Sequence, residues 1–420
     1  MQAQLPSSVN HALQALVADI ARDPHCIALR PARLFCVGGA VRDVLMQRQV
    51  TDRDWLVVGS TPEQMIGAGF LAVGRDFPVF LHPLNREEFA LARTERKIGR
   101  GYHGFEFHCD PTVSLEDDLR RRDLRINAMA IDAQGRLHDP HQGYEDLQNR
   151  QLQHVSEAFR EDPIRILRVA RFSARFADFG IHPLTLQFMR EMVRDGETDH
   201  WTAERVWREL DQGMSESKPS ALWRCLASCH LSAFACLGTE DGLMLEQLDR
   251  AAAAGLDGRL RWALWSTLAS SALRTAVLAI LKMPGNQRSL IDQALRHQSA
   301  FMRMLSGQGM PSPALLAGFF ESLDVLRRPG RLDDLLAVWR WHPQVRALSG
   351  YEHALGAIKD LGTIFRRAKS GALGTEIQGA ALGEAIRQAR VQALSMTLLT
   401  RYAQGILVPA PTSSENSSPP

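Results

Sequence analysis

Along the first 155 or so residues the spacing of apolar positions changes repeatedly, and after that it settles. Residues 8–22 space their apolar side chains at helical intervals and predict a short amphipathic helix. Leu34-Phe35-Cys36-Val37 is an apolar strand that runs into Gly38 and Gly39, and residues 41–49 return to helical spacing. Residues 54–59 (DWLVVG) read as a second strand, and Thr61-Pro62-Glu63 begins a helix in the order of cap, proline and acid. Residues 78–83 (PVFLHP) and 88–94 (EFALART) read as further strands, residues 95–106 are basic and contain glycine, and residues 126–140 (INAMAIDAQGRLHDP) read as a hairpin region. Beyond residue 155 the apolar period is helical almost throughout. An α+β head on a long helical body is the fold class this pattern predicts. No internal repeat is visible, and the end of the chain, apolar-free from Thr412 onward, reads as a disordered tail.

Composition adds limits. The 420 residues are 45% hydrophobic and 23% charged, enough apolar material for a sizeable core in two to four domains. Lysine plus arginine (49) against aspartate plus glutamate (47) leaves only +2, which excludes a uniformly basic coat but not local patches. Five of the 49 are lysines and 44 are arginines, the side chain suited to forked recognition of phosphates and bases. The six cysteines, at 26, 36, 109, 225, 229 and 236, form no Cys-x-x-Cys pair. Cys225, Cys229 and His230 are close in sequence but lack a fourth zinc ligand nearby, so they read as ordinary buried thiols. The N-terminus has no secretory signal pattern, and no apolar run reaches the ~18 residues of a membrane span, so a cytoplasmic location with no membrane partner is expected.

Two constellations carry chemistry. The first is Val37-Gly38-Gly39-Ala40-Val41-Arg42-Asp43, where two glycines between strand and helix allow a tight turn beside an anion and Arg42 is placed to pair with a triphosphate. A dinucleotide-binding turn would need G-x-G-x-x-G and an acid ~20 residues on, and has neither. The second is Thr51-Asp52-Arg53-Asp54-Trp55. Asp52 and Asp54 are two apart at a strand start and project from one face, which suits one or two Mg²⁺ ions with positions open for phosphate.

The combination resembles the nucleotidyltransferase superfamily that shares a catalytic head with DNA polymerase beta, specifically the class II tRNA nucleotidyltransferases and bacterial poly(A) polymerases. Arg120-Arg121-Arg122-Asp123 with Ile126-Asn127-Ala128 looks like that family's ribose and triphosphate segment. Asp139-Pro140, Gly143, Asp146 and Leu147 resemble its hinge motif. Glu161-Asp162-Pro163-Ile164-Arg165 through Phe172 looks like its nucleotide-selecting helix, and Glu204-Arg205-Val206-Trp207-Arg208-Glu209 resembles its neck motif. Together these cover residues 34–210 in the family's order, and VGRDFPVFLHP and LARTERK lean toward the CCA-adding branch.

The resemblance implies transfer of nucleotidyl groups from CTP and ATP to a tRNA 3′ hydroxyl, releasing pyrophosphate, with Asp52 and Asp54 holding Mg²⁺ and Glu88 as a third acid, although Glu87 and Glu95 are close. Gly39, Arg42, Arg122, Asp123, Asp162, Arg165, Arg168 and Arg171 are the implied nucleotide-binding residues. Asp162 and Arg165 would read the base. Cytosine and adenine both offer an amino donor beside a ring-nitrogen acceptor, whereas uracil and guanine reverse both polarities. Residues 96–101 resemble the family's flexible loop. On helical grounds Pro163 fits the first position with Asp162 as N-cap, and Arg165, Arg168, Arg171 and Arg175 share one face.

The expected organisation is an N-terminal helical extension (1–30), a nucleotidyltransferase head with a small mixed sheet (31–155), a helical neck (156–238), a body (239–345), a helical tail (346–408) and the disordered end (409–420). One departure from many bacterial relatives is expected: residues 240–345 lack a spaced His/Asp cluster, and the one His-Asp pair, His138-Asp139, falls in the hinge motif, so no phosphohydrolase module is predicted. Arg327, Arg328, Arg331 and Arg340 of the body are candidate phosphate contacts. Two rival readings stay open: a poly(A) polymerase, or a non-catalytic tRNA-binding protein on the same head. The sequence leaves the oligomeric state open.

Overall fold

The computed structural model describes residues 5–73, 79–97, 105–108, 110–231, 234, 241–306, 312–368 and 380–403. The chain divides into two compact units. One comprises Met1–Gly213, Ala221–Cys236 and Ala279–Lys282; the other comprises Met214–Ser220, Leu237–Leu278 and Met283–Pro420.

The first unit opens with α1 (Ser7–Val17), α2 (Pro24–Ala28), β1 (Arg33–Val37), α3 (Gly39–Leu45), β2 (Asp54–Val58) and α4 (Pro62–Gly67). Then come β3 (Leu71–Val73), β4 (Val79–Leu81), β5 (Glu88–Leu91) and a separate antiparallel ribbon of β6 (Thr94–Lys97) and β7 (Phe105–His108). Next are α5 (Leu115–Arg120), the hairpin β8 (Ala130–Asp132) and β9 (Leu137–His138), and α6 (Gly143–Gln148). Seven strands make one mixed sheet in the order β3-β4-β5-β2-β1-β8-β9, with β2 and β5 parallel.

Alternation along the strands builds an apolar layer on each face of this sheet. Cys36, Trp55, Val57, Phe89 and Ile131 join α1 and α4 residues such as Leu13, Val17 and Met65 on one face. Phe35, Val37, Leu56, Val58 and Ala130 join Val113 and Leu119 on the other. This second layer is the smaller one. Its strand ends carry charge where apolar cover stops.

Local sequence explains the helix boundaries. Thr61 caps α4 in a full capping box, its hydroxyl accepting from Gln64 N and the Gln64 side chain accepting from Thr61 N. The N-terminal helix expected to reach residue 22 stops at Val17, and a 3-10 turn covers Ile20–Arg22. Arg53 accounts for the early stop, because its Nη1 donates to the Leu16 carbonyl at 2.8 Å and to Asp19 at 2.9 Å. Within residues 126–140 the expected hairpin spans 130–138, with Ala130 opposite His138, and a 3-10 turn over Arg125–Asn127 precedes it.

The neck helices complete the first unit. A short parallel pair, β10 (Gln151–Leu152) with β11 (Gly180–Ile181), brackets α7 (Arg165–Arg175), and α8 (Pro183–Arg194) and α9 (Ala203–Ser215) follow. Cys225 and Cys229 are buried thiols one helical turn apart, Cys229 Sγ donating to the Cys225 carbonyl at 3.2 Å, while His230 is exposed.

Every described element of the second unit is helical. The helix Gly258–Leu268 is buried on all sides from Leu260 to Thr267, with Trp262 and Trp265 crossing edge to face at 5.5 Å. Buried Arg261 donates to the carbonyls of Leu256, Met214 and Glu216 at 2.6, 2.8 and 2.7 Å. Of the body arginines, Arg340 pairs with Glu352 at 2.8 Å and Arg331 donates to the Leu323 carbonyl, while Arg327 and Arg328 are exposed. Among the described residues no helix is long and apolar enough to cross a membrane. Residues 409–420, expected to be disordered, lie outside the described residues.

Candidate active site

The sheet brings three carboxylates together. β2 begins at Asp54, which pairs in register with Val37 of β1 on one side and Glu88 of β5 on the other. Asp52 lies just before the strand instead of on it, yet its charge still acts on Asp54. Burial pushes the Asp54 carboxyl above its ordinary value; Arg122 opposes that shift, and Glu88 and Asp52 add to it. Asp54 is reachable by solvent and still surrounded by protein, the condition in which both accessibility and desolvation are felt. Neither Asp54 nor Glu88 has a hydrogen-bond or ion-pair partner among the described residues.

The intervening side chains point the other way and explain which glutamate is which. Arg53 binds Asp19 and Glu87, and Glu87 also accepts from Trp55 Nε1 at 2.8 Å. Glu87 is thereby committed to the packing of Trp55, while Glu88 stays beside Asp54. The side chain of Glu95 and residues 98–104, which include much of the expected flexible loop, lie outside the described residues.

The glycine turn borders the carboxylates. Gly38 has φ +73°, a left-handed conformation that favours glycine, and a Cβ there would sit 3.1 Å from Arg122 Nη1. Gly39 is the first residue of α3 and faces the Arg42 guanidinium. Arg42 is not turned outward as expected. It is 3% exposed, donates to Asp43 at 2.9 Å and to Asn127 Oδ1 at 2.6 Å, and lies over the rings of Phe172 and Phe176. The outward-facing arginine here is Arg122, about one-fifth exposed. It is held by Asp118 Oδ2 at 3.1 Å and by the Asn127 carbonyl. Asp118 is fully buried; burial works against its charge, but Arg121 and Arg122 together keep its carboxyl below the usual value.

The helix with the arginine face starts later than the proline suggested. α7 begins at Arg165, because Arg165 N donates to Asp162 O and Ile166 N to Pro163 O, closing tight turns before the α-helical pattern begins. Asp162 therefore does not cap α7 from the adjacent position, although its Oδ1 accepts from Ile164 N at 3.2 Å. Its carboxylate is gripped by both ends of the Arg205 guanidinium, at 3.1 and 2.7 Å. Arg165 is buried and donates to the carbonyls of Ala158 and Arg121 at 2.6 and 2.5 Å.

The remaining arginines of that face are each held by an acid. Arg168 donates to Asp123 Oδ2 at 2.7 Å and approaches Glu209 at 3.5 Å. Arg171 donates to Glu209 Oε2 at 2.7 Å, and Arg175 to Asp43 Oδ2 at 3.1 Å. Burial works to raise the Asp123 carboxyl, but the Arg168 guanidinium holds it well below the usual carboxylate range. Asp118, Arg205 and Glu209 were not singled out as site residues from sequence. Asp118 could have been, since it precedes Arg121 and Arg122 by one helical turn. Glu209 is 38 residues from Arg171 and carries no such signal.

The hinge residues do local work. Asp139 accepts from Gly143 N and Tyr144 N at 2.7 and 2.8 Å, and a Cβ on Gly143 would collide with the Arg125 carbonyl at 2.2 Å. His138 Nε2 pairs with Asp132 at 3.0 Å.

A mixed sheet presenting carboxylates beside a glycine turn defines a nucleotidyltransferase head, and residues 34–153 match the poly A polymerase head domain family. Over most of its length the chain is 41% identical to the multifunctional CCA protein of Acidovorax ebreus (strain TPSY), covering 86% of this chain and 96% of that protein. It is also 41% identical to the CCA-adding enzyme of Pseudomonas putida (strain F1), covering 86% and 98%. The chain belongs to the CCA-adding family of nucleotidyltransferases. The Bacillus stearothermophilus CCA-adding enzyme in complex with CTP has the same fold, with a TM-score of 0.64, 22% identity, and coverage of 95% of this chain and all of that one.

Proposed function

We propose that this chain adds and repairs the 3′-terminal CCA of tRNA, taking CTP and ATP in turn, releasing pyrophosphate, and selecting the base with protein side chains instead of a nucleic-acid template. The observation that carries the reading is the register of Asp54 opposite Glu88 at the charged end of the sheet, with Asp52, the Gly38 turn and Arg122 alongside.

The carboxylates of Asp52, Asp54 and Glu88, of which Asp52 accepts one hydrogen bond from the Thr51 hydroxyl at 3.1 Å, are a hard donor set whose mutual repulsion favours a divalent cation. Asp52 and Asp54 would hold Mg²⁺, which when bound supplies charge for the attacking hydroxyl and the departing pyrophosphate. Arg122 faces the turn where phosphate would lie and stabilises the charge that develops there. Arg168, about one-third exposed and oriented by Asp123, adds a second phosphate contact. Arg42 is assigned a supporting role, because it is buried and committed to Asp43 and Asn127, while Arg171, oriented by Glu209, is read as a further phosphate contact.

Base selection falls to Asp162 and Arg165 at the start of α7. Arg205 holds the Asp162 carboxylate in place to accept from the amino group of cytosine or adenine. Arg165, anchored by two carbonyls, presents its guanidinium plane rigidly for the ring nitrogen. A uracil or guanine would reverse both polarities, at roughly 1–3 kcal/mol for each buried unsatisfied group.

The second unit is read as tRNA-holding and without phosphohydrolase chemistry. Its buried histidines support this, since His297 is bonded to Gln293 and His342 to Gln298, both at 3.0 Å. A tRNA substrate places the work in the cytoplasm.

The test is extension of a tRNA lacking CCA, with CTP and ATP supplied separately and together. Addition of two C residues and one A, then arrest, is expected. A long A ladder without C would establish the poly(A) polymerase reading instead, and binding with no extension would leave a non-catalytic tRNA-binding protein.

A further inference from the structure

Asp43 follows Arg42 in α3 and is 6% exposed, yet its two oxygens serve two different segments of the fold. Oδ1 accepts from Arg42 Nε at 2.9 Å, within the helix that starts at the glycine turn. Oδ2 accepts from Arg175 Nη2 at 3.1 Å, at the last residue of α7. From Arg42 the connection continues: Nη1 donates to Asn127 Oδ1 at 2.6 Å, Asn127 Nδ2 donates to Asp123 Oδ1 at 3.2 Å, and Asp123 Oδ2 accepts from Arg168 Nε at 2.7 Å. The path leaves α7 at Arg175, crosses behind the glycine turn and returns to α7 two turns earlier.

Apolar packing closes the inside of this loop. Phe172 and Phe176 stack at 6.0 Å with an interplanar angle of 4°, and the Arg42 guanidinium lies 5.5 and 5.2 Å from their centroids. Arg48 covers Phe176 from another direction at 4.8 Å. A buried carboxylate bridging two arginines is costly to assemble and unforgiving once one partner is lost. An apolar contact could have held the helices together, but it would not fix their spacing to one hydrogen-bond geometry.

We infer that Asp43 is a positioning residue for nucleotide binding: it registers the phosphate turn against α7, so that a base read at the start of that helix leaves its triphosphate beside Arg122 and the carboxylates. This rests on the reading that α7 receives the incoming nucleotide. Asp43 touches no substrate and acts through Arg42 and Arg175.

The test compares wild type with Asp43→Asn, Arg175→Gln, Arg175→Lys and the Asp43→Asn/Arg175→Gln double variant. Extension of a tRNA lacking CCA gives kcat and KM for CTP, ATP and tRNA, and thermal unfolding is measured alongside. Each loss variant should raise KM for CTP and ATP roughly tenfold, the size expected for one charge-assisted hydrogen bond, while kcat at saturation and KM for tRNA change little. Arg175→Lys should recover part of the loss, and the double variant should be no worse than Asp43→Asn alone. A residue that only stabilises the fold would lower kcat through a smaller active fraction and leave KM for nucleotide at the wild-type value. That outcome, or fold-changes that multiply in the double variant, would overturn the inference. Should Asp43→Asn not fold, Arg175→Gln and Arg175→Lys decide alone, since that side chain is about one-third exposed. A wild-type chain that extends tRNA to CCA while the variants keep its nucleotide KM removes the positioning role only. A wild-type chain that extends nothing removes the functional reading and this inference with it.

Discussion

The carboxylate end and the arginine end of the site are built on opposite principles. Asp54 and Glu88 are placed side by side by strand register and, among the described residues, neither has an ion-pair partner, Arg122 acting on Asp54 through its charge without a direct bond. Arg168, Arg171 and Arg175 are each paired within 2.7 to 3.1 Å of an aspartate or glutamate. The difference separates two electrostatic strategies. A repulsive cluster keeps affinity in reserve for a cation that arrives with the substrate. A paired cluster is organised beforehand, so little is lost in ordering long side chains when phosphate arrives. The first arrangement lowers stability for function, and the second contributes to the fold as well.

The contrast should break most visibly at the two adjacent glutamates. Glu88→Gln should lower kcat for nucleotide addition by roughly 100-fold, the scale of losing one preorganised electrostatic group. Glu87→Gln should leave kcat within a few-fold and instead lower the unfolding midpoint, since Glu87 holds Arg53 and Trp55. Comparable kcat losses in both would mean that register does not distinguish their roles. On the arginine side, Glu209→Ala strands the Arg171 guanidinium, leaves Arg168 with Asp123 alone, and should cost about 3 kcal/mol in denaturant unfolding. A change below about 0.5 kcal/mol would place that pair among the weak surface bridges.

The smallest expected effect concerns the hinge. Burial pushes Asp146 up to about 6, and its Oδ2 has no hydrogen-bond partner among the described residues. In the unfolded chain it titrates near the ordinary aspartate value of about 3.9. At low pH both states carry the proton and nothing is lost. As pH rises from about 4 through about 6 the unfolded state ionises first, so stability falls and then levels off. Asp146→Asn should therefore raise the unfolding midpoint by a few degrees at pH about 8 and not at pH about 4. An equal shift at both values would show that ionisation of Asp146 is not the cause.

Period and punctuation were enough to read much of the head. The Thr61 cap, the strand at Trp55 and the hairpin at residues 130–138 follow from spacing two, spacing 3.6 and turn chemistry. Asp54 opens that strand, whereas Asp52 lies just before it, so the two-residue step expected to keep both on one strand face does not set the position of Asp52. What spacing could not reveal is how each arginine is employed. Arg42, expected to reach phosphate, is buried under two phenylalanines that come from a helix 130 residues later. The start of α7 was placed two residues early because proline is compatible with both a helical first turn and the tight turn found at Asp162. Partners such as Glu209 lie beyond any local rule, since tertiary packing alone brings α9 to α7.

The central claim, that the carboxylate end is repulsive by construction and awaits a cation, is tested most directly by thermal unfolding of wild type and Asp54→Asn, each with EDTA or with millimolar Mg²⁺. The account predicts that Asp54→Asn, inactive in tRNA extension, unfolds at or above the wild-type midpoint in EDTA, and that Mg²⁺ raises the midpoint of wild type alone. A variant less stable than wild type in EDTA, with an undiminished response to Mg²⁺, would contradict it.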